Sequence, residues 1–196
     1  MLVRIAAASD ELATIGEQAL DRIITMRKLL RRRGIASEEA VLNVFELCSL
    51  VYLDLACLLS DVFKYDQTPK ARTYFRLLIL TLHETSRVLP KLLQPSVRHR
   101  LVEWLGPDVD HPLKQVHSGL STLRNHIEQS FGDIRNGIVA HLDSDADYRL
   151  LLLNRIDSEK TIQLAIELVT YMLQLSGFFH KYLDVALPAL QTQEHS

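Results

Sequence analysis

The chain has little of what builds tight turns, sheets or disulfide scaffolds. Seven glycines, six prolines and two cysteines are spread over 196 residues, of which 47% are apolar. With a slightly positive mean hydropathy, that scarcity excludes a disordered chain and points to a large helical core. Cys48 and Cys57 lie nine positions apart on one apolar segment. On a helix they face opposite sides about 13 Å apart, too far for a disulfide. They are expected as buried thiols of a reduced, cytoplasmic protein. No basic excess is present: 22 Lys and Arg stand against 24 Asp and Glu, a net charge of −2. A polyanion would therefore have to be met by a local cluster and not by a global field. No clean membrane-length run occurs either, because the longest apolar stretch, Val41 to Phe63, is interrupted by Asn43, Glu46, Asp54, Ser60 and Asp61. It is expected as a core helix. Asp10 and Glu11 follow a very short apolar start, which argues against a signal peptide. Internal repeats, low-complexity tracts, glycine-rich phosphate loops and strand-period alternation are all missing.

What remains is helix punctuation. A first segment is expected from Ser9 to Gly34, with Lys28 and Arg31 to Arg33 at the negative end of its dipole. A second runs from a Ser37 cap to about Lys64. A third opens at Thr68-Pro69 and closes before Pro90. A fourth spans Ser96 to Leu105 and stops at Gly106-Pro107. A fifth runs from Pro112 to Leu142. After the polar break Asp143-Ser144-Asp145-Ala146-Asp147, the stretch Tyr148 to Ile156 is compatible with helix or with an ordered connection. A sixth helix opens at Ser158 and is stopped by Pro188. Long helices with short links predict an all-α antiparallel bundle over residues 1–196 as a single domain, with about four core helices plus accessory ones. The high apolar fraction argues for a homodimer.

The end of the fifth segment reads Asp133-Ile134-Arg135-Asn136-Gly137-Ile138-Val139-Ala140-His141-Leu142-Asp143. At about 100° per residue, Arg135 and His141 flank an apolar strip of Ile134, Ile138 and Leu142. A cation and an imidazole beside such a strip need partners, because unpaired burial is costly. Histidine moves a proton near neutral pH. Arginine grips phosphate, or a pentavalent phosphorus, with a planar fork. An amide next door orients either group or holds a ribose hydroxyl. The set suits RNA cleavage without a metal, and two copies across a two-fold axis would double each group. The bland alternative is that Arg135 and His141 only satisfy the last carbonyls and the dipole of the helix. Gly132 and Gly137 cost about 1 kcal/mol each relative to alanine and imply a kink or a close backbone approach.

These residues resemble the motif of the HEPN superfamily, small α-helical domains that include many prokaryotic defence and toxin ribonucleases. That motif is an arginine, a following polar residue and a histidine after four to six intervening positions. Arg135, Asn136 and His141 fit it, and the run through Asp143 to a helix opening at Asp157-Ser158-Glu159 is most similar to the abortive-infection branch. The detailed likeness covers about residues 125 to 175. It implies a HEPN-like bundle, a homodimer with two motifs at a shared cleft, and a metal-independent endoribonuclease in which the 2′-hydroxyl attacks and leaves a cyclic phosphate. His141 is then the general acid/base, Arg135 the group that stabilises phosphorus and Asn136 the positioning residue, with Asp143 orienting the imidazole. No cofactor is implied. Expected partners are RNA as substrate and an antitoxin or nucleotidyltransferase. Toxin members with a nucleotidyltransferase antitoxin often carry Tyr two places after the histidine, where Asp143 stands here. The rival is a non-catalytic HEPN module that binds a nucleotide or protein in the same cleft.

Beyond the motif, Arg72, Arg76, His83 and Arg87 share a narrow stripe on the third helix, within about 60°. They offer a track for an RNA backbone, against the alternative of a plain solvated face. His83-Glu84 begins like a zinc-protease motif, but Arg87 stands where the second histidine belongs, so no metal site is expected. Glu46 and Asp54 are candidates to pair with Arg135 or polarise His141, or else polar-face residues. Trp104 reads as a packing anchor.

Overall fold

A computed structural model describes residues 2–64, 69–140 and 155–192; for residues 2–13, 15, 16, 69, 135–140 and 191 it describes the backbone alone. Every extended element among the described residues is helical. The helices are α1 (Leu2–Arg33), α2 (Glu39–Lys64), α3 (Pro69–Leu92), α4 (Pro95–Leu105), α5 (Asp110–Ala140) and α6 (Ser158–Thr192), with a 3-10 turn at Pro107–Val109 between α4 and α5.

Several boundaries differ from those the sequence predicts, each for a local reason. α1 starts at Leu2 and not after Ser9, because nothing in the Ala-rich lead breaks a helix. It ends as expected: Gly34 takes φ +65°, and Ile35 N–H bonds Leu30 O while Gly34 N–H bonds Arg31 O, the Schellman pattern. At α2 the cap position falls to Glu38, whose carbonyl accepts from Leu42, and not to Ser37. α3 continues past Pro90 to Leu92, where Leu93 N–H still reaches Leu89 O at 3.1 Å. α4 stops at Gly106, whose φ of +91° suits glycine and whose N–H bonds Val102 O at 2.8 Å. α5 begins at Asp110, with Pro112 in its first turn, where a missing N–H does no harm. At α6 the cap is Asp157, whose Oδ1 accepts from Lys160 N–H at 3.0 Å, one residue before the expected Ser158. Pro188 does not stop this helix. Proline removes a single backbone bond, and Leu190, beyond it, is buried.

One contiguous core draws on all six helices, and α6 contacts each of the other five. α2 and α6 run antiparallel, since Phe45 stacks on Phe179 with ring centroids 5.0 Å apart and Tyr52 Oη reaches Val169 O at 3.4 Å. By length and apolar composition both α2 and α6 match a bilayer-spanning helix. α2 nevertheless turns Leu42, Phe45, Tyr52, Leu55 and Leu59 into the core. α6 keeps a less covered face, on which Ile166 and Leu173 are exposed.

A buried polar knot joins three helices. The Glu38 carboxylate is 1% exposed. It accepts from Arg100 Nε at 2.6 Å, from a second Arg100 nitrogen, from Tyr182 Oη at 2.6 Å and from the Trp104 side chain. Trp104 also meets Tyr182 edge-on, at 6.1 Å between centroids, so it is the packing anchor expected and a hydrogen-bond donor besides.

Candidate functional site

The tail of α5 is set by its inner face. Ile127, Phe131 and Ile134, at helical spacing, are buried and tie the helix to the core. Asp133 faces solvent. Arg135 and Asn136 follow as adjacent positions within the last two turns before Ala140. Their side chains lie outside the described residues, as do His141 and Asp143 altogether. The helix runs without a break through Gly132 and Gly137.

α3 packs on α5. This contact changes the expected basic stripe. Arg72 is exposed, Arg76 and Arg87 are half-buried, and His83 is 1% exposed. The four residues do not form one open track, because α5 covers the stripe where His83 stands. The imidazole meets Glu128 of α5 instead, with Nε2 2.8 Å from Oε2. Its Nδ1 lies 3.7 Å from Glu84 Oε1. Neither ring nitrogen is aligned for a hydrogen bond, so the Glu128 contact is a close approach and not a satisfied core bond. The second oxygen of Glu128 lies over Gly132, where an added Cβ would come within 3.3 Å of Oε1.

Glu46 and Asp54 take the second of the two roles open to them. Glu46 accepts from Arg27 Nη1 at 2.8 Å, with Asn43 holding the other guanidinium nitrogen, so it is a structural partner of α1. Asp54 is exposed on α2. Cys48 is buried as expected, whereas Cys57 is exposed. Among the described residues, no three His, Cys, Asp or Glu side chains converge as a metal site.

One constellation carries no sequence signal. Arg22 of α1 donates to His180 Nδ1 of α6 at 3.0 Å and to Asp184 Oδ1 at 2.5 Å. Partial burial lowers the pKa of His180 below its ordinary value, Arg22 lowers it further and Asp184 opposes both. With Nδ1 accepting, the ring proton sits on Nε2. Arg22 lies 158 and 162 residues from His180 and Asp184, a pairing that no local spacing reveals.

The chain matches no protein-family model, no curated protein and no solved structure.

Proposed function

We propose that this chain is a metal-independent endoribonuclease of the HEPN type, acting as a cytoplasmic homodimer with a composite site at the subunit cleft. The observation that carries the reading is the complete Arg135-Asn136…His141 set at the end of a core-anchored helix. A continuous helix fixes the first two members as neighbours one residue apart, so they move together. In the reaction the 2′-hydroxyl loses its proton to one imidazole and attacks phosphorus. The P–O5′ bond breaks, and the leaving 5′-oxygen takes a proton from an acid such as the second subunit's imidazole. Arg135 neutralises the charge that gathers on the phosphoryl oxygens, Asn136 orients the ribose or the imidazole, and Asp143 holds the histidine tautomer. In a toxin or phage-defence setting, an antitoxin or nucleotidyltransferase would hold the activity in check. Asp143 at the usual tyrosine position leaves no phenol there to modify.

A second reading, a non-catalytic HEPN module binding a nucleotide or protein, is favoured by one observation: the burial of His83 shortens the basic track for a long RNA. Total RNA incubated with pure protein in a chelator separates the two. The ribonuclease reading expects fragments ending in 2′,3′-cyclic phosphate, and at least about a 100-fold loss with His141→Ala or Arg135→Ala. Equal cleavage by wild type and both variants, or none by any, overturns it.

A further inference from the structure

α6 buries less of itself than its composition calls for. Of its most apolar 18-residue stretch 39% is buried, against 56% for the comparable stretch of α2. Ile166 is 56% exposed and Leu173 is 45% exposed. They stand two turns apart, so the two side chains share one side of the helix. Thr170 lies between them, and its hydroxyl donates to the Ile166 carbonyl at 2.9 Å, so its donor is already satisfied within the helix. Gly177 continues the strip one turn on and is exposed. Glycine inside a helix costs about 1 kcal/mol against alanine. Its φ is not positive, and a Cβ added there would meet nothing within 4 Å, so no contact within this chain asks for it. A bare backbone position on an outer face admits the close approach of something else.

Charges close the strip at both ends in a fixed order. Arg155 and Glu159 precede it, Lys181 and Asp184 follow it, and all four are exposed. Between Glu159 and Lys181 the ridge carries Gln163, Ile166, Thr170, Leu173 and Gly177, none of them charged. At 100° per residue this ridge stays within about 80° of the helix circumference, and it is about 33 Å long. Lys160 and Glu167 lie about 100° or more round the helix from Ile166. Along the chain the order is therefore positive, negative, apolar, positive, negative. A second copy laid antiparallel presents that order reversed. Glu159 then meets the second copy's Lys181, and Arg155 meets its Asp184. A parallel copy sets like against like at all four places. Opposite charges at a rim set orientation and register more than affinity. Asp184 already holds Arg22, so Glu159 and Lys181 carry most of that choice.

We propose that the outer ridge of α6 is the docking surface for a second copy of this chain, the two helices packing antiparallel about a two-fold axis at Thr170. Residue 170 is midway between Glu159 and Lys181. In that register Ile166 of each copy drops among Thr170, Leu173 and Gly177 of the other, the hole that positions three, four and seven apart make on a facing helix. The inference rests on the two-copy part of the proposed function and on none of its chemistry.

Sedimentation equilibrium on the full-length protein measures the pairing. Ile166→Arg and Leu173→Arg are each expected to raise the dimer dissociation constant about 10-fold or more. Ile24→Arg, at an equally exposed position on α1, should leave it within about twofold. Glu159→Lys and Lys181→Glu should each weaken the dimer about 3-fold or more, and the double variant should recover most of the loss. An effect of either charge on its own helix would not be repaired in the double. Thermal unfolding midpoints within about 2 °C of wild type keep folding out of the comparison. In a Cys57→Ser background, Thr170→Cys should join two chains through a bifunctional maleimide with a reach of about 10 Å. Glu159→Cys should not, because its two copies stand about 33 Å apart. A dimer indifferent to the ridge variants, or one that links through Glu159→Cys, overturns the inference and leaves the two-copy reading standing. A chain that is monomeric at every concentration overturns both. Monomers that bind phosphatidylcholine vesicles, and lose that binding with Ile166→Arg, overturn it in favour of a lipid-facing ridge. A dimer that answers to the ridge variants in a protein that cuts no RNA upholds the pairing and removes the ribonuclease reading.

Discussion

The phenol of Tyr182 and the carboxylate of Glu38 meet across 144 residues of chain, at 2.6 Å. Burial pushes the Glu38 carboxyl up. The hydrogen bonds from Arg100, Tyr182 and Trp104, together with the Arg100 charge, outweigh that push and hold it below the ordinary carboxylate value. The phenol moves the other way: burial, and then its bond to Glu38, push its pKa up. Tyr182 therefore remains a donor at any pH the fold survives. The group ties the start of α2 to α4 and α6.

Removing one partner should show how much that tie contributes. Arg100→Met leaves the buried carboxylate without its cation and is expected to cost about 3 kcal/mol in urea unfolding, the lower end for a broken buried pair because Arg100 is one-third exposed. Tyr182→Phe should cost about 1 kcal/mol. Because the folded-state pKa of Glu38 is depressed, its contribution is full above the ordinary value of 4.5 and is lost as pH falls below it. The penalty of Arg100→Met should shrink on acidification through that range. A penalty of the same size at pH 7 and pH 3 would count against the ion pair.

Gly119 of α5 lies under the Tyr171 side chain of α6. A Cβ built there falls inside contact distance of the Tyr171 ring and hydroxyl. Gly119→Ala should therefore destabilise by about 1–3 kcal/mol, as overpacking does, despite the better helix propensity of alanine. Adding Tyr171→Ala should recover part of that loss, and a double-mutant cycle by chemical denaturation measures the coupling. Additive effects would mean that the two helices separate without strain.

The helical character of the chain was legible because its signals are local and repeated. Gly34, Gly106-Pro107 and the Pro69 start all act within one turn of themselves, and each stands where expected. The errors came from tertiary contacts overriding local punctuation. Pro188 carries a stop signal, but Leu190 finds the core beyond it. His83 lies on the same stripe as Arg72 by angle alone, and only the covering by α5 separates a buried imidazole from an exposed guanidinium. Gly132 stands inside an unbroken helix, where an added Cβ would come within 3.3 Å of Glu128 Oε1. Glu38 carries no local signal of its buried role, since its partners Arg100, Trp104 and Tyr182 lie far away in sequence. Of the motif, the sequence supplied the spacing, and the fold adds the helix that carries Arg135 and Asn136.

The Arg22–His180–Asp184 contact predicts a pH dependence. Burial first, and then the Arg22 charge, lower the His180 pKa, so the fold favours the neutral ring. Stability from this group is full above the ordinary value of 6.5 and declines as pH falls below it. Imidazole NMR titration should place His180 below 6.5 in the wild type. Arg22→Gln should raise it, because the repelling cation is gone and Asp184 is released to act on the ring. An unchanged or lower titration point in Arg22→Gln would show that burial alone sets the value.

The two thiols should separate cleanly in reactivity, since the thiolate is the attacking species. Burial pushes Cys48 up to about 12, and its side chain lies in the core beside Phe45 and Tyr52 on α2. Cys57 is exposed on the same helix. Native protein treated with a maleimide or a disulfide reagent should take up one equivalent quickly. The second should appear only at the rate of unfolding, reaching two in strong denaturant. Cys57→Ser should abolish the fast phase and leave the slow one, while Cys48→Ala should do the reverse and cost about 1 kcal/mol for the lost packing. Protection of Cys57 in native protein at high concentration, relieved on dilution, would mean that this face of α2 is covered by a second copy of the chain.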